Sequence, residues 1–337
     1  MRLCKKNSYI LALLLVSEAI ADISEEQIDG LFDKITSYRR TYESTKLPQP
    51  STNNNQTSQV ASDVIVKYCR YSGAAYKLLG LTWKCSENCE SEDTRGTVVD
   101  YQWAVPDAPS HGFVAHKDDT REIIVSWRGS TVLMDWIADF SFAPVIWPAE
   151  IDGSMVHTGF LGAYKGASEK IKHVLRGLVE RHPDYKIVLT GHSLGGAQAA
   201  LAAADIVLSH PEWTSKLELY TYGEPRVGNS VFANWLSSQP IPMYRVVYRG
   251  DLVSQVPFRQ MGYQHHAQEV WYCGNSSVCA SNTNEQEPLR FCGQNGENAS
   301  CQASIQTLKL SVVNHLQYPG LSYDVLYFFL GNINILK

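Results

Sequence analysis

The stretch from Lys186 to Leu208 limits what this chain can fold into more than any other. A short apolar run, Lys186 to Thr190 (KIVLT), enters Gly191-His192-Ser193-Leu194-Gly195, and an alanine-rich segment, Ala197 to Leu208, follows. The apolar run fits a strand covered on both faces. The alanines fit a slim helix able to lie close on a sheet. Strand, glycine turn and helix in that order predict a nucleophile elbow, a sharp turn that lifts the serine hydroxyl clear of the sheet. Glycines two residues to either side leave room for the crowded turn. The free N–H groups that open the helix favour negative charge. The Leu194 N–H is therefore a candidate donor to a developing oxyanion. Out of this context the pentapeptide would read as a loop that only packs helix on strand.

From Val60 onward the pattern alternates strands and helices. Gly112 to His116 and Glu122 to Trp127 read as strands joined by a turn at Lys117-Asp118-Asp119-Thr120. Gly162 to Arg181 places Ile171, Val174, Leu175 and Leu178 at helical spacing. Leu217 to Tyr222 and Tyr244 to Tyr248 are further strands. This alternation predicts an α/β fold with a mainly parallel central sheet.

A serine alone is a poor nucleophile; it needs a base, and the base needs an orienting group. With this motif the chain order is Ser, then Asp or Glu, then His. Asp251 stands just past the strand ending at Tyr248, where the acid belongs. Of the histidines beyond the serine, His210 precedes Asp251 and breaks the order, and His265 and His266 follow it closely. His315 leaves room for another element first, so Asp251 and His315 are the candidate acid and base. The strand from Ile123 to Trp127 runs into Arg128-Gly129-Ser130-Thr131, where Ser130 is the candidate second oxyanion donor. Next, Val132, Leu133, Trp136 and Ile137 share one helical face. That face suits a lid whose opening offers apolar surface to a fat droplet, or an ordinary core helix.

Twenty-nine basic and 34 acidic residues give a net charge of -5, which excludes a nucleic-acid binder working by bulk electrostatics. An apolar share of 44% over 337 residues excludes a chain disordered throughout. Arg2, Lys5 and Lys6, the apolar run Tyr9 to Val16, and Ala19-Ile20-Ala21 form a secretory signal over residues 1–21. The run is too short to span a membrane. Residues 22–59 are a polar leader or linker, and Arg39-Arg40 within it is either a processing site or a solvated pair.

An oxidising compartment makes the cysteines disulfide candidates. Cys4 leaves with the signal, and the seven that remain include at least one without an internal partner. Cys85 can pair with Cys89; Cys273, Cys279, Cys292 and Cys301 can form two bridges; Cys69 is left as a buried thiol. Zinc is the rival reading, disfavoured because the spacings lack paired Cys-x-x-Cys units. Sequons at Asn55, Asn275 and Asn298 point to surface loops. Val325 to Leu330 reads as a core element.

The motifs together resemble those of the secreted fungal and yeast class 3 lipases. The matching segments are Trp127 to Thr131, Trp136 to Asp139, Val156 to Phe160, Thr190 to Ala197, Tyr222 to Asn229, Arg249 to Val253 and Asn314 to Tyr318. The resemblance implies an α/β-hydrolase domain over residues 60–337 that hydrolyses acylglycerol esters at a lipid–water interface. It implies Ser193 as nucleophile, Asp251 as acid, His315 as base, and Ser130 and Leu194 as oxyanion donors. It implies a lid over Thr131 to Phe140 that includes Val132, Leu133, Trp136 and Ile137, with His157 as structural support. The expected chemistry needs no cofactor and no metal. The expected protein is a secreted monomer without a transmembrane span or a nucleic-acid partner. The alternatives are an esterase or phospholipase on the same scaffold, and a secreted binding protein without catalysis. Three departures bear on stability and acyl-chain preference: the cysteine-rich insertion from Cys273 to Cys301, Ser254 where close relatives tend to have proline, and no cysteine after Cys301.

Overall fold

Runs rich in valine, isoleucine and tyrosine suit a pleated surface covered on both sides, and they supply the centre of the sheet. A computed structural model describes residues 60–77, 80–85, 87–106, 108–130, 143–274, 289–294, 296–305 and 310–321. These fall within one compact unit, Pro50–Ser130 with Ser141–Val325. The expected signal peptide, the leader, the lid residues Val132, Leu133, Trp136 and Ile137, the sequons at Asn55 and Asn275, and the Val325 to Leu330 run lie outside the described residues.

The strands of the main sheet are β1 (Val98–Ala104), β2 (His111–Lys117), β3 (Glu122–Trp127), β6 (Lys186–His192), β7 (Leu217–Tyr222), β9 (Met243–Tyr248), β11 (Glu269–Tyr272) and β12 (Leu289–Phe291). They lie in the order β1-β2-β3-β6-β7-β9-β11-β12. The middle run from β3 to β11 is parallel throughout. Antiparallel strands flank it on both sides. The mainly parallel sheet expected of an α/β-hydrolase fold is therefore present. Every residue of β3 and β9 is buried, as strands with both faces covered require. A smaller antiparallel sheet, not anticipated from the sequence, joins β4 (Pro144–Ile146), β5 (Met155–His157), β8 (Gly228–Asn229) and β10 (Tyr263–Gln264) in the order β10-β8-β5-β4. Its two- and three-residue strands are too short to show a period.

Helix α1 (Ser62–Ala74) covers one face of the main sheet. Its Ile65, Tyr68 and Tyr71 pack into a core with Phe113, Ile124, Val188, Tyr220 and Val246. Helix α2 (Glu87–Glu90) follows. Helix α3 (Thr158–Arg181) starts four residues before the predicted Gly162 because His157 caps it: Nδ1 accepts the N–H groups of Gly159 (3.0 Å) and Phe160 (3.3 Å). Burial holds His157 down to about 4, so Nδ1 keeps the lone pair this needs. Histidine is outside the usual N-cap set, which hid this start. Helix α4 (Leu194–Ser209) begins at once after the serine, and its alanines are buried almost all round. Helix α5 (Ser230–Ser237) follows β8, and α6 (Val312–His315) is the last described helix.

Cys85 pairs with Cys89 and Cys292 with Cys301, Cys273 is also disulfide-bonded, and Cys69 is a free, buried thiol. Glu269, Cys292 and Cys301 cluster closely enough to hold a metal, but the two sulfurs are joined to each other. Among the described residues no helix is long and apolar enough to cross a membrane.

Candidate active site

Ser193 sits between the end of β6 and the first residue of α4, at φ 60° and ψ -130°. A residue with a side chain rarely adopts this backbone, and holding it there costs on the order of 1–3 kcal/mol. The flanking glycines let the turn close. A Cβ on Gly191 would lie 2.3 Å from the carbonyl carbon of Gly195, and one on Gly195 would lie 2.1 Å from the Trp127 carbonyl oxygen. The Ser193 N–H donates to the Tyr222 carbonyl at 2.8 Å, which ties the turn to β7. Leu194 opens α4, so its N–H belongs to the first turn, where helices lack internal acceptors. The loop after β3 runs against the serine: a Cβ on Gly129 would stand 2.8 Å from the Ser193 Cβ. Ser130 is the next residue of that loop and is buried.

Asp251 follows β9 and is fully buried. Its Oδ2 accepts from His315 Nδ1 (2.8 Å) and from the Tyr318 hydroxyl (2.7 Å), and its Oδ1 accepts from the Val253 N–H (2.8 Å). Three donors satisfy a buried carboxylate that water cannot reach. Tyr318 also accepts the Tyr248 N–H at 3.0 Å, which fixes its hydroxyl over the end of β9. Burial and the Asp251 charge push the Tyr318 hydroxyl well above its ordinary range, so it stays a donor. Ser254, in the position expected to be proline, donates its hydroxyl to the Asp251 carbonyl at 2.9 Å.

His315 ends α6, and Ser311 joins that helix to the acid loop. The Ser311 N–H donates to the Gly250 carbonyl (2.8 Å) and its carbonyl accepts the Leu252 N–H (3.3 Å), a parallel bridge to Asp251. The Ser311 hydroxyl caps α6 by accepting the Val313 N–H at 3.1 Å. From the other side, His192 Nε2–H donates to the His315 carbonyl at 2.7 Å. Burial, and then the neighbouring His315, hold His192 well below the usual imidazole range, so it is neutral. Its Nδ1 can then accept the Tyr76 hydroxyl at 2.8 Å. Gly223 closes the space between: at φ 58°, its Cβ position lies 2.7 Å from Asp251 Oδ2 and from His315 Cε1 and Nδ1.

With Nδ1–H donated to a carboxylate, His315 presents a lone pair on Nε2. That atom and Ser193 Oγ are both buried, and neither has a hydrogen-bond partner among the described residues. Asp251 and His315 are thus brought together, whereas Ser193 Oγ and His315 Nε2 make no hydrogen bond with each other. The competing histidines are engaged elsewhere. His265 Nε2 donates to the Ser254 carbonyl (2.7 Å), His266 meets Glu224 (3.1 Å), and His210 stacks on Trp213 (4.0 Å). Gly223, Ser311, Tyr318 and Tyr76 went unassigned in the sequence. Gly223 and Tyr318 lie inside the motif segments Tyr222 to Asn229 and Asn314 to Tyr318, and Gly223 also carries a local signal as a glycine at the carboxyl end of a parallel strand.

Residues 124–261 match the family described as Lipase (class 3). A lipase of Rhizomucor miehei is 34% identical over 244 residues, which cover 72% of this chain and 63% of that protein. A secreted mono- and diacylglycerol lipase of Fusarium solani is 35% identical over 61% of this chain and 59% of its own length. The matches thus span roughly three fifths of these curated relatives. The solved structure of Rhizomucor miehei triacylglyceride lipase superposes with a TM-score of 0.71 at 31% identity, covering 79% of this chain and 98% of that one.

Proposed function

Because the chain belongs to the class 3 lipase family, we propose that it is a secreted triacylglycerol lipase, cleaving long-chain acylglycerol esters at a lipid–water interface. The observation that carries this reading is the buried 2.8 Å bond between His315 Nδ1 and Asp251 Oδ2, beside a serine on a strained strand-to-helix turn. His315 Nε2 takes the Ser193 proton as Oγ attacks the ester carbonyl. Asp251 holds the imidazole in the required tautomer and stabilises the cation that forms. The Leu194 N–H and Ser130 receive the oxyanion; losing one such donor typically lowers turnover about 10²–10³-fold. The tetrahedral intermediate collapses, the imidazolium protonates the departing alkoxide, and an acyl-enzyme remains. Water, deprotonated by His315, attacks the acyl-enzyme, and the serine is regenerated as the fatty acid leaves.

Ser193, Asp251 and His315 all come from one chain, which supports action as a monomer. The domain reading keeps residues 1–21 as signal peptide, 22–59 as leader and 60–337 as the catalytic domain. The sequence expectation of an apolar lid at Val132, Leu133, Trp136 and Ile137 favours long acyl chains as substrate, since a soluble short ester would not need one.

Turnover on emulsified long-chain triacylglycerol against a water-soluble short-chain ester tests the reading. The rate should rise once droplets form, and Ser193→Ala should lower it by roughly 10⁴-fold or more. A rate indifferent to droplets would favour the esterase alternative. A Ser193→Ala protein that hydrolyses as fast as the parent would remove the nucleophile assignment.

A further inference from the structure

Among the described residues, the Cys292–Cys301 loop makes no hydrogen bond to Ser193, His315 or the Asp251 carboxylate, yet its contacts converge on the acid. Glu297 holds Arg226 with both oxygens, Oε1 to Nε (2.7 Å) and Oε2 to Nη2 (3.0 Å), and Oε1 also accepts the His265 N–H (2.9 Å). Arg226 donates in turn to the carbonyls of Gln255 and Pro257, just beyond Asp251. The Gly296 carbonyl accepts from Arg245 Nη2 at 2.9 Å, and the same nitrogen reaches Glu269 Oε2 at 3.0 Å. Glu269 Oε1 then accepts the backbone N–H of Gln302 at 2.9 Å. Gln302 follows Cys301 directly and is buried. Its Nε2 donates to the Asp251 carbonyl at 2.7 Å, and its Oε1 accepts from Gln255.

This arrangement is a poor way to gain stability alone. Buried ion pairs contribute little net free energy compared with apolar side chains of the same volume. What they supply is direction. Burial works against the Glu297 charge, but Arg226 beside it holds the carboxyl below its ordinary value, so the anchor stays ionised. Three bonds aim the Asp251 carboxylate, and the bonds from Gln302 and Ser254 fix the backbone it hangs from. A misplacement of about 1 Å at a reacting group can cost 10²-fold in rate.

We propose that Gln302 is a positioning residue for Asp251, and that the Cys292–Cys301 loop is the strap that keeps Gln302 in place. The proposal rests on the reading of Asp251 as the acid of an ester hydrolase. The disulfide matters because Gln302 is the first residue outside the ring it closes. Within that ring, the Asn298 amide donates to the Cys292 carbonyl at 2.6 Å and the Cys301 N–H to the Asn298 carbonyl at 3.0 Å, which leaves the ring little freedom to drift.

The test uses the full chain with Gln302→Met, which keeps the length and removes the donor, and separately with Cys292→Ala and Cys301→Ala together. Three quantities are read: kcat and KM on p-nitrophenyl butyrate, the fraction of sites labelled by an organophosphonate, and the far-downfield proton resonance of His315 Nδ1–H. Both proteins should lose about tenfold in kcat per labelled site, keep KM within twofold, and show the resonance moved or broadened. A kcat per labelled site within twofold of the parent, with the resonance unmoved, would overturn the proposal even if melting temperatures fall. If one variant does not fold, the other decides. If the parent itself hydrolyses no ester, the hydrolase reading fails, and the resonance alone still decides whether Gln302 positions the carboxylate.

Discussion

A single added methyl group at residue 223 would meet the proposed acid, Asp251, and the proposed base, His315, at once. Gly223 combines a positive φ with 2.7 Å clearances to Asp251 and His315, so Gly223→Ala brings backbone strain and a collision together. We expect kcat to fall at least 10²-fold, with a loss of about 1–3 kcal/mol in stability, measured by ester turnover and urea unfolding. The sharp turn at Ser193 and the meeting of Asp251 with His315 were legible in the sequence, because a strand–turn–helix marks its own serine and chain order restricts where an acid and an imidazole return beside it. The contacts of Tyr318 and Ser311 were not, although Tyr318 sits within a motif segment. Each works through contacts with residues about 60 or more positions away, and no local pattern encodes such a meeting. His192 was hidden differently: it fills a position the motif leaves open, and its two hydrogen bonds reach 116 and 123 residues along the chain.

Among the elements, α3 shows how a boundary depends on one ring. Its periodic face was readable from Ile171 to Leu178, but Gly159 and Gly162 blur the first turn, and the cap is a histidine. His157→Ala should destabilise the protein by about 1 kcal/mol, since two N–H groups lose their acceptor; His157→Asn should recover most of that in urea unfolding. Helix α4 was read late by three residues, because Leu194-Gly195-Gly196 carries poor helix propensity at its two glycines. Their place is set by close approach to β3 and β6 instead.

For the whole molecule, the buried histidines set an acid limit. His157, His192 and His265 are all held below the ordinary imidazole value, by burial first. Below pH ~6.5 the unfolded chain therefore takes up protons that the folded one refuses, and each site removes up to about 1.4 kcal/mol per pH unit until its folded value is reached. For His157 that window closes at about 4. Glu297 adds to the loss below its ordinary range, because its folded carboxyl is the harder one to protonate. The melting temperature should drop steeply from pH 6.5 towards 4 in scanning calorimetry, and a flat profile would contradict the neutral state of these rings. The core also settles the fate of Cys69. This sulfur is sealed among Ile65, Tyr68 and Tyr222 and resists ionisation. In an oxidising medium that burial keeps the sulfhydryl out of reach of any neighbouring thiol, so covalent cross-linking through Cys69 is prevented by solvent exclusion alone.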